Sequence, residues 1–206
     1  MNLTPLIKHM NINQITGVIL AGGRGTRMGN VDKGLQPFRG APMALHVMLR
    51  LAPQVSNLMI NANQNLAPYE SFGVPVWPDE LQGFAGPLAG LQTALGHCET
   101  EYLITAPCDS PFLPTDLVAR LAEALTAHNA DLAVAVTGEG DARQPHPVFC
   151  LLKISLLPHL TSYLQDGGRK MDGWYASLNV AEVLFPDDAA FRNINTLEDL
   201  RKFDLT

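Results

Sequence analysis

Ile15-Thr16-Gly17-Val18-Ile19-Leu20 runs directly into Ala21-Gly22-Gly23-Arg24-Gly25-Thr26-Arg27-Met28-Gly29. The first six residues are β-branched or apolar almost without a break, as in a strand buried on both faces of a parallel sheet. In an open α/β sheet, ligands bind outside the carboxyl ends of such strands. Glycines there let the backbone approach an anion closely, and their free N–H groups form an anion nest. Two familiar glycine loops do not fit. A dinucleotide fingerprint begun at Gly23 needs a third glycine where Met28 stands, and an acid about twenty residues on, where Pro42 to Arg50 offers none. A P-loop needs Gly-Lys followed by Ser or Thr, whereas Lys33 follows Asp32 and precedes Gly34.

The chain beyond this loop repeats one pattern. Helical apolar spacing over Met43 to Leu51 is stopped by Pro53, and Leu58 to Ala62 reads as a strand. A short irregular or helical piece around Tyr69, a strand over Val74 to Trp77 and a helix over Leu88 to His97 follow. Tyr102 to Ala106 is a further buried strand. Pro114 to His128 is a helix with Leu117, Leu121 and Leu125 on one face. Strands over Leu132 to Val136 and Val148 to Leu152 precede a helix over Ile154 to Gln165 that Pro158 bends or breaks. Strand Ala181 to Phe185 and helix Leu197 to Phe203, capped by Thr196 with Asp199 three residues on, close the chain. Strands alternating with helices predict a single α/β domain with a mostly parallel, doubly wound sheet over residues 15–206, preceded by an extension over residues 1–14. The stretch Asp166-Gly167-Gly168-Arg169-Lys170 is too short for a linker and reads as a surface or active-site loop.

Composition narrows the function classes. Apolar residues make up 47% of the 206 and charged residues 17%, which suits a sizeable core and excludes wholesale disorder. Acids outnumber bases 20 to 14, so broad nucleic-acid binding, which needs a basic face, is excluded. The overall acidity hides a local reversal: Arg24, Arg27, Lys33 and Arg39 lie close together with only Asp32 opposing them. Positive charge beside a glycine cluster points to a bound anion, a solvated basic loop being the plainer alternative. No apolar run approaches the ~18 residues of a membrane-spanning helix, and no secretory signal is evident. Cys98, Cys108 and Cys150 form neither a disulfide framework nor a zinc pattern. Together these features predict a cytoplasmic protein with no membrane or nucleic-acid partner.

Leu20-Ala21-Gly22-Gly23-Arg24-Gly25-Thr26-Arg27-Met28-Gly29, followed by Asp32-Lys33-Gly34-Leu35, resembles the signature loop of the small nucleotidyltransferases. The resemblance is closest to the molybdenum cofactor guanylyltransferase family and runs from about Thr16 to Leu200. It takes in Asn61-Ala62-Asn63, Asp79, Gly86-Pro87-Leu88-Ala89-Gly90, Cys108-Asp109-Ser110-Pro111, His146-Pro147 and Asn193-Ile194-Asn195-Thr196. The segment before Asn11 is outside it. The resemblance implies a Rossmann-like three-layer sandwich of the nucleotide-diphospho-sugar transferase type, with one antiparallel strand near its far side. It also implies GTP and the molybdopterin cofactor as substrates, Mg²⁺ as cofactor, and proteins that deliver and accept the cofactor as partners. A cytidylyltransferase, a sugar-phosphate nucleotidyltransferase and a non-catalytic nucleotide sensor are the competing readings.

Each residue carries its own chemistry within that frame. Asp109, directly after a strand and flanked by prolines, suits Mg²⁺, which takes one or two protein carboxylates and fills its shell with phosphate oxygens and water. The alternative is a helix cap. Asp79, also at a strand end, is able to accept two parallel hydrogen bonds from the guanine N1–H and N2–H edge, or to hold the ribose. Asn61 shares that choice, with a local turn contact as its plainer role. By the resemblance, Leu20, Ala21, Gly22, Gly23, Lys33, Gly86, Gly90 and Asp109 complete the nucleotide site, and Arg27 and Lys33 join Asp109 in catalysis. Gly90 serves alternatively in close helix packing. Asn193 and Asn195 match acceptor-binding positions, with helix capping as their alternative. Arg169 and Lys170 either bind the acceptor's terminal phosphate or are simply solvated. His146 reads as a hydrogen-bonded structural histidine rather than a catalyst.

Overall fold

A computed structural model describes residues 10–23, 31–81 and 86–204, with the side chains of Leu197 and Asp204 left aside. Strand β1 (Ile15–Leu20) is buried along its whole length. Its side chains alternate: Ile15 and Ile19 enter one core, Val18 and Leu20 the other. Gly17 leaves room for helix α1 (Met43–Leu51), because a Cβ there would stand 2.7 Å from Leu58 and 3.2 Å from Leu51. The hairpin β2 (Pro37–Phe38) and β3 (Ala41–Pro42) precedes α1. Then come β4 (Asn57–Asn61), α2 (Leu66–Glu70), β5 (Val76–Trp77), α3 (Pro87–Gly96) and β6 (Tyr102–Pro107). The second half holds α4 (Leu117–Ala127), β7 (Leu132–Thr137), β8 (Gln144–Lys153), α5 (Leu157–Gln165), α6 (Met171–Tyr175), β9 (Val180–Phe185) and α7 (Leu197–Asp204).

The main sheet has seven strands in the order β5-β4-β1-β6-β8-β7-β9. Every pairing is parallel except those of β8, which runs antiparallel to both β6 and β7. That is the mixed sheet, with its one reversed strand, expected from the resemblance. On one face, Ala44, Val47 and Leu51 of α1 join Leu117, Leu121 and Leu125 of α4. On the other, Leu88, Leu91 and Leu95 of α3 pack with Leu160 and Leu164 of α5 and the fully buried Trp174 of α6. A smaller cluster of Phe38, Met43 and Ile194, with Phe112, Leu200 and Phe203 against it, seats α7 on the hairpin.

Three details depart from the sequence pattern. The hairpin and α6 are too short for periodicity to reveal. Helix α4 begins at Leu117, after the turn in which Leu117 N–H donates to the Pro114 carbonyl. Pro158 lies in the first turn of α5 after a separate 3₁₀ turn at Ile154–Leu156, so it starts the helix and does not break it. Among the described residues no helix is long and apolar enough to cross a membrane. The three cysteines are buried free thiols.

Candidate active site

The chain leaves β1 for β4 and β5 on one side and returns to β6 on the other, so the sheet's order reverses between β1 and β6. Crevices at such switch points, outside the carboxyl ends of strands, are where open α/β sheets bind ligands. Leu20, Asn61 and Pro107 end the three strands concerned, and the backbone stays tied beyond them. Ala21 N–H donates to the Asn61 carbonyl at 2.7 Å, and Cys108 N–H to the Leu20 carbonyl at 3.1 Å. Residues Leu20 to Gly23 therefore sit at the crevice floor. Arg27, with residues 24–30, lies outside the described residues.

One side of the crevice is built on amides. Asn61, the last residue of β4, donates through Nδ2 to the Trp77 carbonyl at 3.1 Å and to Asp79 Oδ1 at 2.9 Å. Asn63 donates to Asp79 Oδ2 at 2.8 Å and to the Gly22 carbonyl at 3.3 Å, and its own oxygen accepts from Asp79 N–H at 2.8 Å. The half-buried Asp79 carboxylate is thus fixed by two neutral amides. Asn61 serves the neighbouring strand's backbone and Asp79 together, and among the described residues its side chain makes no hydrogen bond within its own turn. Glycines make the arrangement possible: a Cβ on Gly22 would stand 2.8 Å from Asn63 Nδ2, and one on Gly90 would fall on Asn61 Oδ1. Gly86 caps α3 with φ +68° and ψ −155°, a backbone region open essentially to glycine alone. Pro87 follows it in the helix's first turn.

The other side holds charge. Lys33 Nζ stands 3.1 Å from Asp109 Oδ2 and 2.7 Å from Asn195 Oδ1. Asp109 is only 8% exposed at the end of β6 and caps no helix. Its carbonyl accepts from Ile194 N–H at 2.8 Å, which brings the segment Asn193–Thr196 against it. Ser110 Oγ donates to Asn193 Oδ1 at 2.6 Å. Neither asparagine is the cap of α7. That role falls to Thr196 and Asp199, which bond each other reciprocally as the sequence spacing predicts. Among the described residues, no group of three or more His, Cys, Asp and Glu side chains forms a self-sufficient metal cage. Asp109 fits Mg²⁺ nonetheless, since that ion takes one or two protein carboxylates and would complete its shell with phosphate oxygens and water.

A cleft of about 400 Å³ adjoins this cluster, lined by Pro107, His146, Phe149, Phe191, Arg192, Asn193 and Asn195 among others. His146 stacks on Phe191 with ring centroids 4.6 Å apart, and its Nε2 lies 2.8 Å from Thr137 Oγ1. Burial holds its pKa below the usual histidine value of 6.5, with nearby Asp188 opposing the shift, so the ring is neutral near pH 7. It is hydrogen-bonded as expected and also forms a cleft wall, which its sequence setting did not reveal. Arg169 and Lys170 do not line this cleft. The Arg169 guanidinium folds back onto the Leu164 and Gly168 carbonyls, and Lys170 is exposed on the loop before α6. Asn63 and Ser110 are the site residues that sequence reasoning passed over, although Asn63 stood beside Asn61 in the quoted motif. Cys108 contributes no nucleophile: burial pushes its thiol well up, and Asp109 adds to the effect.

The model of the MobA-like NTP transferase domain matches residues 17–180. A molybdenum cofactor guanylyltransferase of Cupriavidus necator is 63% identical over 190 residues, spanning 92% of this chain and 96% of that protein. Among solved structures, molybdopterin-guanine dinucleotide biosynthesis protein A of Archaeoglobus fulgidus superposes with a TM-score of 0.73 at 22% identity, covering 92% of this chain and 97% of that one. A 4-diphosphocytidyl-2C-methyl-D-erythritol synthase of Anaerococcus prevotii reaches the same TM-score at 12% identity, covering 95% and 98%. At these identities the structural likenesses speak for the fold alone.

Proposed function

Because this chain belongs to the MobA-like NTP transferase domain family, we propose that it transfers GMP from GTP to the terminal phosphate of molybdopterin, releasing pyrophosphate and forming molybdopterin guanine dinucleotide. The observation that carries the reading is the Lys33 ammonium held between Asp109 and Asn195 at the reversal point of the sheet. A phosphate oxygen of the acceptor attacks the α-phosphorus, and the bond from that phosphorus to the oxygen leading to the β-phosphate breaks. The attacking group is already an anion at neutral pH, so no strong general base is required. A neutral His146 and a protonated Cys108 agree with a reaction that needs neither.

Catalysis then rests on alignment and charge neutralisation. Asp79, held by Asn61 and Asn63, accepts the guanine N1–H and N2–H edge. Backbone N–H groups at Gly22 and Gly23 and the amino-terminal end of α3 face the phosphates, and Arg27 adds a cation from the glycine loop. Lys33 neutralises charge that builds toward the departing pyrophosphate. Asp109 would hold Mg²⁺ through its carboxylate, and the ion would supply further neutralisation of the phosphates. The cleft bounded by His146 and Phe191 receives molybdopterin. Because an ammonium only donates, Asn195 presents its oxygen to Lys33, which leaves the amino group of this cleft-lining residue as a donor for the acceptor. Pyrophosphate release, measured with GTP, CTP and ATP in the presence and absence of molybdopterin, tests the proposal. Release that needs both GTP and molybdopterin supports it. Equal use of CTP, or no release with molybdopterin, overturns it.

A further inference from the structure

We propose that Asp32 and Tyr69 are positioning residues for Lys33, their hydrogen bond fixing the turn from which the Lys33 ammonium reaches the site. The inference rests on the reading of Lys33 as the phosphate-binding cation. Asp32 and Lys33 are neighbours in the chain whose side chains leave in opposite directions. Lys33 goes to Asp109 and Asn195. Asp32 goes to α2, where Oδ1 accepts from Tyr69 Oη at 2.6 Å and Oδ2 from Asn65 Nδ2 at 3.1 Å. Asp32 is 8% exposed and Tyr69 fully buried.

The same turn is held at every backbone carbonyl from Asp32 to Gly34. Gln36 Nε2 donates to the Asp32 carbonyl and Gln36 N–H to the Lys33 carbonyl, both at 3.1 Å, and Ala44 N–H at the start of α1 donates to the Gly34 carbonyl at 2.9 Å. Gly34 is the residue under which the phenol passes, since a Cβ there would fall on the Tyr69 hydroxyl. Asn65 takes a left-handed φ of +52°, a conformation asparagine tolerates better than most residues, and from it the amide reaches Asp32. Burial pushes the Tyr69 pKa far up, with Cys108 and Asp32 adding to it, so the hydroxyl stays a donor throughout the working pH range.

A carboxylate so deeply placed carries a large desolvation cost, and an apolar pair of similar volume would hold α2 in place as well. What the polar pair adds is direction. A lysine head on a four-carbon stem has wide freedom, and anchoring its backbone on the opposite side removes much of it. The three alternate asparagines Asn61, Asn63 and Asn65 extend the device. The first two hold Asp79 on the base side, and the third holds Asp32 on the phosphate side.

The test is a double-mutant cycle on pyrophosphate release, with Tyr69→Phe, Lys33→Met and the double variant, and thermal unfolding of each. Tyr69→Phe removes one hydroxyl at constant shape, and Tm should fall by about 2–8 °C. Its kcat should fall about tenfold with KM for GTP within about twofold, a shift smaller than the ~10²-fold a misplacement of order 1 Å costs. In the Lys33→Met background the same change should alter kcat less than about twofold, because its target is gone. Asp32→Asn keeps an acceptor for Tyr69 and should give a smaller loss of the same kind, which serves as the test if Tyr69→Phe fails to fold. A lowered Tm with unchanged kcat in Tyr69→Phe, or the same kcat loss in both backgrounds, overturns the positioning role alone. Wild-type kcat and KM in Lys33→Met overturn the phosphate role of Lys33 and this inference with it.

Discussion

Asp79→Asn separates base reading from ribose binding. In the wild type each carboxylate oxygen already accepts one asparagine amide, at 2.9 and 2.8 Å. An ionised oxygen still has capacity for a donor from the ligand. Replacing one oxygen by an amino group sets donor against donor at one of these contacts and removes the charge that strengthens any bond to guanine. Hydrogen bonds to a charged group are worth about 1.5–3 kcal/mol. At about 1.4 kcal/mol per decade, GTP affinity should fall roughly 10- to 150-fold. Inosine triphosphate keeps N1–H but lacks the N2 amino group, so the wild type should bind it more weakly than GTP by a comparable factor. In Asp79→Asn the remaining oxygen serves N1–H alone, and the gap between the two nucleotides should close to about twofold. Calorimetric titration without acceptor, using GTP, inosine triphosphate and 2′-deoxyguanosine triphosphate, reads all three affinities. Equal weakening of GTP and inosine triphosphate by the substitution would refute base reading. A large loss for the deoxy nucleotide in the wild type, absent in the variant, would assign Asp79 to the ribose.

Lys33→Met should lower kcat about 10²–10³-fold by analogy with a lost oxyanion donor, with Lys33→Arg restoring only part in steady-state assays. Asp109→Asn should keep the fold by circular dichroism yet lose turnover, partly rescued by raised Mg²⁺; normal rates at limiting Mg²⁺ would refute the metal role. Gly90→Ala places a methyl on Asn61 Oδ1, so GTP affinity should drop about tenfold or more with a modest change in Tm, since Asn61 must release Asp79 or α3 must shift. Burial depresses the His146 pKa below 6.5, so the unfolded chain takes up the proton first. Stability from this group is therefore present above about pH 6.5 and lost as pH falls below it, and His146→Gln should flatten the fall of Tm between pH 7 and 5.

The sheet was legible because β1, β4, β6 and β7 carry near-continuous apolar runs, and the spacing-four leucines of α4 do enter the core as the pattern demands. The hairpin was not, because Pro37–Phe38 and Ala41–Pro42 are pairs too short for any period to appear. Asp109 and Lys33 were legible as chemistry, but their contact spans 76 positions and no local rule predicts it. Asn195 shows the limit best. Its place before a helix suggested capping, yet Thr196 takes that role and leaves Asn195 for a lysine 162 residues away. Asn63 escaped for a related reason. Past the end of β4 the alternation of a strand no longer fixes where a side chain points, and only the fold shows it on Asp79.

Under the proposed function, the distribution of neutral groups lets a chain of net charge −6 receive a triphosphate. Three carboxylates near the crevice are engaged by the protein: Asp79 by two asparagines, Asp32 by a phenol and an asparagine, Asp109 by Lys33. Amides and hydroxyls orient an acid without adding charge, so two of the three are held in place without consuming a cation. Lys33 is left to face one carboxylate and one neutral amide. Were Asn195 acidic, two anions would share that ammonium and, on the proposed reading, oppose the phosphates it attracts. On the proposed reading, the asparagines at 61, 63, 65 and 195 are the site's electrostatic spacers, holding its geometry while leaving its positive charge for the nucleotide.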